Sequence, residues 1–500
     1  MVLRPQISDL KIIGYYLGKI IVGLGLVNFI PMLWGLVTGE IVPAADFLIA
    51  ALICFIIGFL LDWFCYTELD PGWMHGMVIT ALTWLVAMFF GAIPLYFSGH
   101  YFSFLDACFE TMSGYATTGL TLTQDLDHMS FAHNLWRHLI MFIGGQGVVI
   151  AALSLFTASS AGAFRMYVGE AREEKILPNV ISTARFIWLV SFVFLFLGTL
   201  ALGVCGTLNG MSVKTAFFHG ACVFMAAFDT GGFTPQSQNI LYYHSLSFEV
   251  ITIVIMLLGS INFKVHYLVW NGNRKELWKN IETVTLFFTL IITFLITAAG
   301  LRQTQAYPEI MSMFRKGFYQ LVSGHTGTGY MTIYARQFIN EWGPLALIGI
   351  TLAMAFGGSS CSTTGGIKTI RIGLVLKGFI QDIKRILLSE ETVVIKKFHH
   401  IKDIILDDKL VRSAALITLA YLVLYGLGAL VGVMLGYPFL ESLFESTSAA
   451  ANVGLSCGIT QASMPAVLKV TYIIQMWAGR LEFVAIFTLV GFLVAFIKGK

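Results

Sequence analysis

Ten long apolar runs are the feature that most limits what this 500-residue sequence can fold into. Each run reaches the ~20 residues that a helix needs to cross a bilayer. Only 12% of the residues are charged, against about 25% in an ordinary soluble protein. A soluble globule and a disordered chain are thereby excluded, and the sequence predicts an all-α polytopic membrane protein. The runs lie at 12–38, 44–66, 75–98, 135–157, 185–207, 247–270, 282–300, 343–380, 412–436 and 465–497.

The basic residues predict the orientation of the chain, because cytoplasmic connectors carry an excess of Lys and Arg. The connectors 158–185, 264–281 and 367–412 hold eighteen of these residues, whereas the four connectors on the opposite side hold five. We therefore expect both termini to be cytoplasmic. The net charge of +3 is too small to indicate a nucleic-acid partner.

The four connectors of the opposite side share one pattern. Each contains a semi-apolar stretch too short to span a bilayer, followed by small residues around a central glycine and then a large apolar residue. Repetition over the whole chain predicts a repeat architecture. We call these stretches the glycine segments; they are Thr117–Thr121, Thr230–Thr234, Gly327–Met331 and Asn452–Ser456, with central glycines Gly119, Gly232, Gly329 and Gly454.

The register extends to both sides of each central glycine. The positions nine residues upstream hold Glu110, Val223, Gln320 and Glu445, and those six residues upstream hold Ser113, Ala226, Ser323 and Ser448. The following spans carry further glycines, Gly144, Gly259, Gly357 and Gly479. The glutamates either hold the short helices by hydrogen bonds or attract cations. We favour the first interpretation, since Gln320 keeps the hydrogen bonding and loses the charge.

The glycine segments have a composition suited to conducting cations. Non-helical backbone at membrane depth is tolerated only where it is buried in protein or lines water. Glycine adopts backbone angles that other residues resist, so several carbonyls can point to one axis. Rings of carbonyl oxygens replace the water shell of a cation, and the preceding helices would aim their negative ends inward. The sequence therefore predicts a cation pore.

The segments resemble degenerate copies of the Thr-Val-Gly-Tyr-Gly filter of potassium channels, four in one chain. The sequence is thus identified as a member of the Trk/Ktr/HKT superfamily of cation transporters. The two spans before the first copy, and the run Gly479-Arg480-Leu481-Glu482, are similar to the TrkH branch. None of the copies keeps the final glycine of the channel motif, and only Tyr330 keeps its tyrosine. Sodium-conducting plant relatives have a serine at the first central position, so the glycines here favour potassium.

The resemblance implies four pseudo-symmetric repeats around one pore, each made of a span, a pore helix, a filter segment and a second span. The implied parts are a two-helix domain at 1–70 and repeats at 71–165, 166–275, 276–400 and 401–500. K⁺ is implied as the transported ion, with no organic cofactor and no catalytic residue. The implied K⁺-binding residues are Thr117, Thr118, Gly119, Thr230, Gly231, Gly232, Gly327, Thr328, Gly329, Asn452, Val453 and Gly454.

Two features near the predicted filter suggest a gate. Arg480 lies within an apolar run, where an unpaired charge costs at least ~2.5 kcal/mol. The resemblance implies that it sits beneath the filter and impedes ion flow. An intramembrane ion pair with Glu482 or another acid is the alternative, and the two do not exclude each other. The run 357–366 is rich in Gly, Ser and Thr, and the resemblance implies an intramembrane gating loop rather than a packed helix kink. Its gating glycines would be Gly357, Gly358, Gly365 and Gly366.

The resemblance also implies function and partners. It implies potassium uptake across a bacterial inner membrane, down the electrochemical gradient, by a homodimer in contact with membrane lipids. A TrkA-like, nucleotide-binding cytosolic ring would regulate it, and segment 367–412 is the expected docking surface. Sodium- or proton-coupled, Ktr-like transport remains the alternative. An intramembrane enzyme would need ionisable groups that converge at the midplane. Arg480 and the glutamates are too scattered in the sequence to suggest such a site, so we expect a transporter.

Overall fold

The computed structural model describes residues 5–123, 125–148, 160–170, 180–388 and 396–498. These residues are mostly helical. A 3₁₀ turn lies at Asn239–Tyr243 and a π turn at Met313–Phe318. The α-helices are Ile7–Thr38, Ile41–Phe64, Trp73–Phe97, Phe104–Tyr115, Phe131–Gln146, Ser160–Gly169, Val180–Leu208, Val213–Phe228, Leu246–Ser260, Phe263–Trp270, Glu276–Lys279, Ile281–Thr304, Ile310–Ser312, Tyr319–His325, Gln337–Asn340, Gly343–Ala355, Thr369–Leu387, Asp408–Met434, Phe439–Ala450, Ala466–Arg480 and Val484–Ile497.

Fewer helices of the described chain qualify as membrane spans than the apolar runs suggest, and some of them are bent. Within the described ranges, six helices are long and apolar enough to cross a membrane, or up to eight if each of two bent pairs is one span. The runs 247–270 and 465–497 are these bent pairs, with bends of 100° and 113°. The second bend follows from left-handed backbone at Glu482 and Phe483, which no α-helix contains. The expected span 135–157 extends beyond the described residues.

The first two helices form a hairpin that is fastened to the rest of the molecule. A Cβ on Gly18 would lie 2.9 Å from the carbonyl oxygen of Gly58, so the two backbones cross closely; small residues permit such crossings in membranes. Glu40, between the helices, accepts from the N–H groups of Phe131 at 2.8 Å and Ala132 at 3.0 Å. Its carboxylate thereby caps the helix Phe131–Gln146, where a negative charge is stabilising.

A two-stranded antiparallel hairpin lies in the basic segment 367–412. Lys397–His400 pairs with Lys402–Ile405. The buried side chains of Phe398 and Leu406 pack with Ile281, Leu374 and Ala414 from three helices. The hairpin therefore joins the beginnings of two membrane helices, Ile281–Thr304 and Asp408–Met434, to the amphipathic helix Thr369–Leu387. The repeat boundaries given above remain predictions.

Candidate functional site

The four short helices Phe104–Tyr115, Val213–Phe228, Tyr319–His325 and Phe439–Ala450 end in the same way. In the first, Thr117 has left-handed backbone with φ of 52°. The N–H of Thr118 donates to the carbonyl of Ser113 at 2.8 Å, and that of Thr117 to Gly114 at 3.0 Å. These two bonds form a Schellman motif, which satisfies helix-end carbonyls. The other helices repeat it with Thr230, Gly327 and Asn452 as left-handed residues and with bonds Gly231 to Ala226, Thr328 to Ser323 and Val453 to Ser448.

In each glycine segment, residues with left-handed backbone, where φ is positive, then alternate with residues whose φ is not positive. The central glycines are left-handed, with φ between 72° and 93°, and so is the residue two positions earlier, while the residue between them is not. Alternation of this kind turns successive carbonyls toward the same side. Glycine adopts the left-handed region without steric cost, which explains its presence at all four central positions.

The four segments meet in a closed ring. A Cβ on any central glycine would overlap the carbonyl oxygen of the residue preceding the central glycine in the next copy, so a side chain there would displace the neighbouring segment. The order of contacts is Gly119 to Gly231, Gly232 to Thr328, Gly329 to Val453 and Gly454 to Thr118. The structure thus brings together all twelve residues that the sequence singled out for K⁺, and they are buried except for Gly119, which is partly exposed.

The polar side chains nine positions before the central glycines stabilise this ring through hydrogen bonds. In each of three copies the side chain accepts from the backbone N–H twelve residues further along, just beyond the glycine segment. The bonds are Leu122 to Glu110 at 2.9 Å and Cys457 to Glu445 at 3.1 Å, together with Thr332 to Gln320 at 2.6 Å when the Gln320 amide is oriented so that its oxygen faces this donor. These hydrogen bonds support the structural interpretation of the two glutamates.

The second copy has Val223 where the other copies have a polar residue, and the local sequence explains why a polar residue is not needed there. Counting twelve residues on from Val223 leads to Pro235, which has no backbone N–H. A polar acceptor at Val223 would therefore have no donor at this position. The backbone carbonyl of Val223 instead accepts from the hydroxyl of Tyr330 at 2.8 Å, a contact with the third copy.

Arg137 links the first two segments and was not singled out from the sequence. Its side chain and that of Glu110 are both fully buried, 2.7 Å apart. The guanidinium also donates to the carbonyl of Thr234 at 3.2 Å and lies 4.2 Å from the ring centre of Phe233. A charge within an apolar run was the signal that identified Arg480, and the same signal was present at Arg137.

The span glycines support the ends of the short helices. A Cβ on Gly144, Gly259 or Gly479 would overlap the carbonyl oxygen of the last helical residue in its own copy, which is Tyr115, Phe228 or Ala450. In the third copy the contact changes, and a Cβ on Gly357 would overlap the carbonyl of Gly365. The loop 357–366 therefore occupies the space that a helix end fills elsewhere.

This loop is closed at its base and packs beneath the ring. The N–H of Gly357 donates to the carbonyl of Ile367 at 2.9 Å. The hydroxyl of Thr363 lies 2.9 Å from the carbonyl oxygen of Phe228 and 3.2 Å from the hydroxyl of Thr230. On its outer side, the N–H of Ser360 donates to Glu282 at 2.6 Å. The loop is thus held both to the second segment and to a neighbouring helix.

Arg480 lies beside the loop and beneath the ring. Its guanidinium donates to the carbonyls of Thr363 at 2.5 Å and Gly144 at 2.7 Å, and to the hydroxyl of Thr117 at 3.1 Å. Glu482, the partner considered from the sequence, instead forms an ion pair with Arg371. Arg480 therefore places a positive charge under the first segment, in contact with the loop.

Asp229 also has a protein partner. This buried residue directly precedes the second segment, and its carboxylate accepts from the side-chain amide of Gln146 at 2.8 Å. The bond gives this carboxylate a role in fixing the end of the helix Val213–Phe228.

Comparisons with known proteins agree with this geometry. The model of the TrkH family, described as cation transport proteins, matches residues 44–494. An uncharacterized cation transporter of Methanocaldococcus jannaschii is 31% identical over 96% of this chain and 95% of its own. The Trk system potassium uptake protein TrkG of Escherichia coli is 28% identical over 81% of this chain and 82% of its own.

A solved structure has the same fold. The crystal structure of the potassium transporter TrkH from Vibrio parahaemolyticus matches with a TM-score of 0.80 at 22% identity, over 96% of this chain and 98% of that chain. The family match covers most of the sequence. The chain belongs to the TrkH family of cation transport proteins, which are membrane transporters and not enzymes.

Proposed function

We propose that this protein takes up potassium through the ring of glycine segments. The observation that carries the proposal is the closed order of contacts among Gly119, Gly232, Gly329 and Gly454, which leaves backbone carbonyls as the groups that can face the axis. Such carbonyls replace the water of a bare cation. Relatives named as potassium uptake proteins support K⁺ as the ion. An inside-negative potential contributes about 2.3 kcal/mol per charge per 100 mV toward entry.

The loop 357–366 and Arg480 form the gate in this proposal. The loop packs under the second segment through Thr363, and Arg480 binds the same residue. A cation leaving the ring would meet the guanidinium charge with little water between them, where Coulomb repulsion is strong. Flow therefore requires the loop and Arg480 to move aside together. Gly357, Gly358, Gly365 and Gly366 give the loop backbone the freedom to do so.

The remaining parts of the proposal concern the surroundings of the pore. The chain acts as a homodimer in a bacterial inner membrane, with both termini in the cytoplasm. A separate cytosolic protein that binds nucleotides docks on segment 367–412 and moves the loop. That segment carries ten Lys and Arg residues, and its described part includes the hairpin at Lys397–Ile405. Coupling of potassium entry to Na⁺ or H⁺ is the second candidate.

Rubidium and sodium flux into proteoliposomes tests the filter. The wild type should favour rubidium over sodium, and Gly119→Ser should lose that preference, because a side chain there overlaps the carbonyl of Gly231. Gly436→Ser is the matched control. Gly436 has φ of 92°, close to the 89° of Gly119, but a Cβ there meets nothing within 4 Å. The control should keep the wild-type preference.

Other outcomes separate the candidates. Flux that appears only with an imposed sodium or proton gradient would move the protein to the coupled mechanism. If the wild type is silent, Arg480→Ala should release flux by removing the charge beneath the ring. Silence of both proteins, or equal loss of preference in Gly436→Ser, would overturn the proposed pore.

A further inference from the structure

A groove lined by basic and apolar side chains opens between the helices Ile281–Thr304 and Thr369–Leu387. The basic side chains are those of Lys279, Lys377 and His399, and we call them the basic end because Lys279 lies just before the first of these helices. The apolar side chains, which we call the apolar end, are only partly covered by the described part of the protein. These are Val284, Phe288 and Leu376, which are 52%, 52% and 44% exposed.

The basic end holds more positive than negative charge. Burial lowers the pKa of the nearby Lys396, and repulsion from Lys377 and Lys384 lowers it further. Two carboxylates are also close. Asp403 and Glu276 form ion pairs with His399 at 2.8 and 3.2 Å. The pKa of His399 is raised chiefly by its hydrogen bond to Asp403 and also by Glu276.

The lysines around the basic end outnumber the carboxylates. Lys279, Lys377, Lys384 and Lys396 oppose the two carboxylates, which His399 already engages. The pKa of Asp403 is lowered first by that histidine, and Lys279 contributes only after it. A crowded set of lysines on a membrane protein is stabilised by an anion between them. The basic end therefore has the charge of an anion site.

The apolar end selects the kind of anion. Ile281–Thr304 is long and apolar enough to span the membrane, and Trp278, just before it, is 75% exposed. Exposed tryptophan at a span end marks the membrane interface. A free phosphate or an acidic peptide would use only the lysines, whereas a phospholipid has both an anionic headgroup for the lysines and an acyl chain for the apolar side chains. We propose that the groove binds an anionic phospholipid, with its phosphate at Lys279 and Lys377 and an acyl chain along Val284, Phe288 and Leu376.

The same two helices hold the loop 357–366. Glu282, in the first turn of Ile281–Thr304, accepts from the N–H of Ser360. Thr369–Leu387 directly follows the loop, and a Cβ on Gly373 would lie 2.8 Å from the hydroxyl oxygen of Thr285, so the helices touch closely. A headgroup that binds both lysines keeps this contact closed and the loop in place. This consequence rests on the proposed function, whereas the binding of lipid does not.

Native mass spectrometry of the purified full-length chain tests the binding. The protein is mixed with phosphatidylglycerol or phosphatidylcholine in detergent, and the retained lipid is counted. The wild type should retain phosphatidylglycerol in preference. Lys279→Ala with Lys377→Ala should weaken this about 30-fold, since each lysine near an anionic surface contributes about 1 kcal/mol. Lys402→Ala with Lys409→Ala removes equal charge from exposed positions nearby and should change it little.

The opposite results are distinct. Equal weakening in both double variants would show that general charge, not the groove, attracts lipid, and would overturn the site. Displacement of phosphatidylglycerol by millimolar inorganic phosphate would identify a free anion as the ligand and overturn the lipid assignment. If Phe288→Ser retained as much phosphatidylglycerol as the wild type, the lipid assignment would also be overturned, because the acyl chain would not lie along the groove.

Flux provides a separate readout for the loop. Rubidium flux of the wild type should be lower in vesicles with phosphatidylglycerol than in pure phosphatidylcholine, and the Lys279→Ala, Lys377→Ala variant should lose this difference. If phosphatidylglycerol binds but rubidium flux is the same in both kinds of vesicle, the proposed effect of the lipid on the loop would be overturned. If no variant conducts, the proposed pore fails, and the binding measurement still decides the site.

Discussion

Two glycines of the third segment show how differently the ring depends on neighbouring positions. Gly327 and Gly329 are both left-handed, with φ of 72° and 82°. A Cβ on Gly327 would meet its nearest neighbour, the carbonyl oxygen of Asn452, at an ordinary 3.8 Å, whereas one on Gly329 would overlap the carbonyl of Val453. The fourth copy even has Asn452 at the position of Gly327.

Alanine at each of these two positions separates strain from overlap. Both variants pay about 1–2 kcal/mol for a left-handed residue with a side chain. Gly327→Ala should have only this conformational cost and should keep the preference of flux for rubidium over sodium. Gly329→Ala must also displace the neighbouring segment and should lose that preference. The measurements are thermal unfolding in detergent and the rubidium-to-sodium flux ratio. Equal behaviour of the two variants would contradict the ring geometry.

The buried pair Arg137–Glu110 leads to a second prediction. Removing one partner of a buried ion pair costs about 3–5 kcal/mol, whereas replacing both can be nearly neutral. Arg137→Met should therefore destabilise the protein strongly. Adding Glu110→Gln should recover most of the loss, because the third copy already braces its segment with the neutral Gln320.

Unfolding in denaturing detergent measures the two single variants and the double variant. Arg385→Met serves as the control, since the side chains of its ion pairs with Asp382 and Asp408 are exposed on both sides, and its loss should cost less. A double variant as unstable as the sum of the single ones would show that the two charges do not act as a pair.

At the scale of elements, the sequence predicts the short helices and glycine segments better than the spans. Four copies of one local pattern each specify a helix end, and the Schellman bonds of Thr118 and Val453 follow from it. A bend depends on a few residues inside an apolar run, such as Glu482 and Phe483, and hydropathy does not detect it. Arg137 carries the same signal as Arg480, a charge within an apolar run, and that signal was not used; its particular partners, Glu110 and Thr234, do not follow from the sequence.

The loop 357–366 gives the prediction that belongs to a single element. Thr363→Val keeps the shape of the side chain and removes the hydroxyl near the carbonyls of Phe228 and Gly259. A hydrogen bond contributes about 0.5–1.5 kcal/mol net, so the loop should open more often. Basal rubidium flux should rise several-fold, and amides of the loop should exchange hydrogen faster.

Thr488→Val is the matched control for this change. Thr488 is partly exposed, and its hydroxyl donates within its own helix, to the carbonyl of Val484 at 2.9 Å. Its loss should leave flux unchanged. Flux in Thr363→Val at the wild-type level would show that this contact does not hold the gate closed.

At the scale of the whole molecule, the ring must close between the first and last copies, which are over 300 residues apart. Gly454 packs against Thr118, and the amide of Asn452 donates to the hydroxyl of Thr118 at 3.0 Å. The repeats in the sequence predict that such a closure exists. They do not predict which side chains secure it, because Lys469 has no basic counterpart at the equivalent positions of the other copies.

The ion pair Lys469–Asp106 joins these copies outside the ring. The two groups are 2.6 Å apart, with side chains 9% and 3% exposed, and Lys469 also donates to the carbonyl of Ala462 at 2.8 Å. Lys469→Met leaves the carboxylate of Asp106 buried without this partner, at a cost of about 3–5 kcal/mol. The N-terminal position of Asp106 in its helix returns part of that cost, up to about 1 kcal/mol.

Thermal unfolding and the flux ratio together measure this closure. Lys469→Met should lower the unfolding temperature and weaken the rubidium preference, because Thr118 and Gly454 are no longer held in contact. Asp106→Asn in the same background should restore stability, since no buried charge remains. Lys402→Met, at an exposed position, should change neither property. A stable and selective Lys469→Met protein would mean that the segments themselves close the ring, without support from the helices behind them.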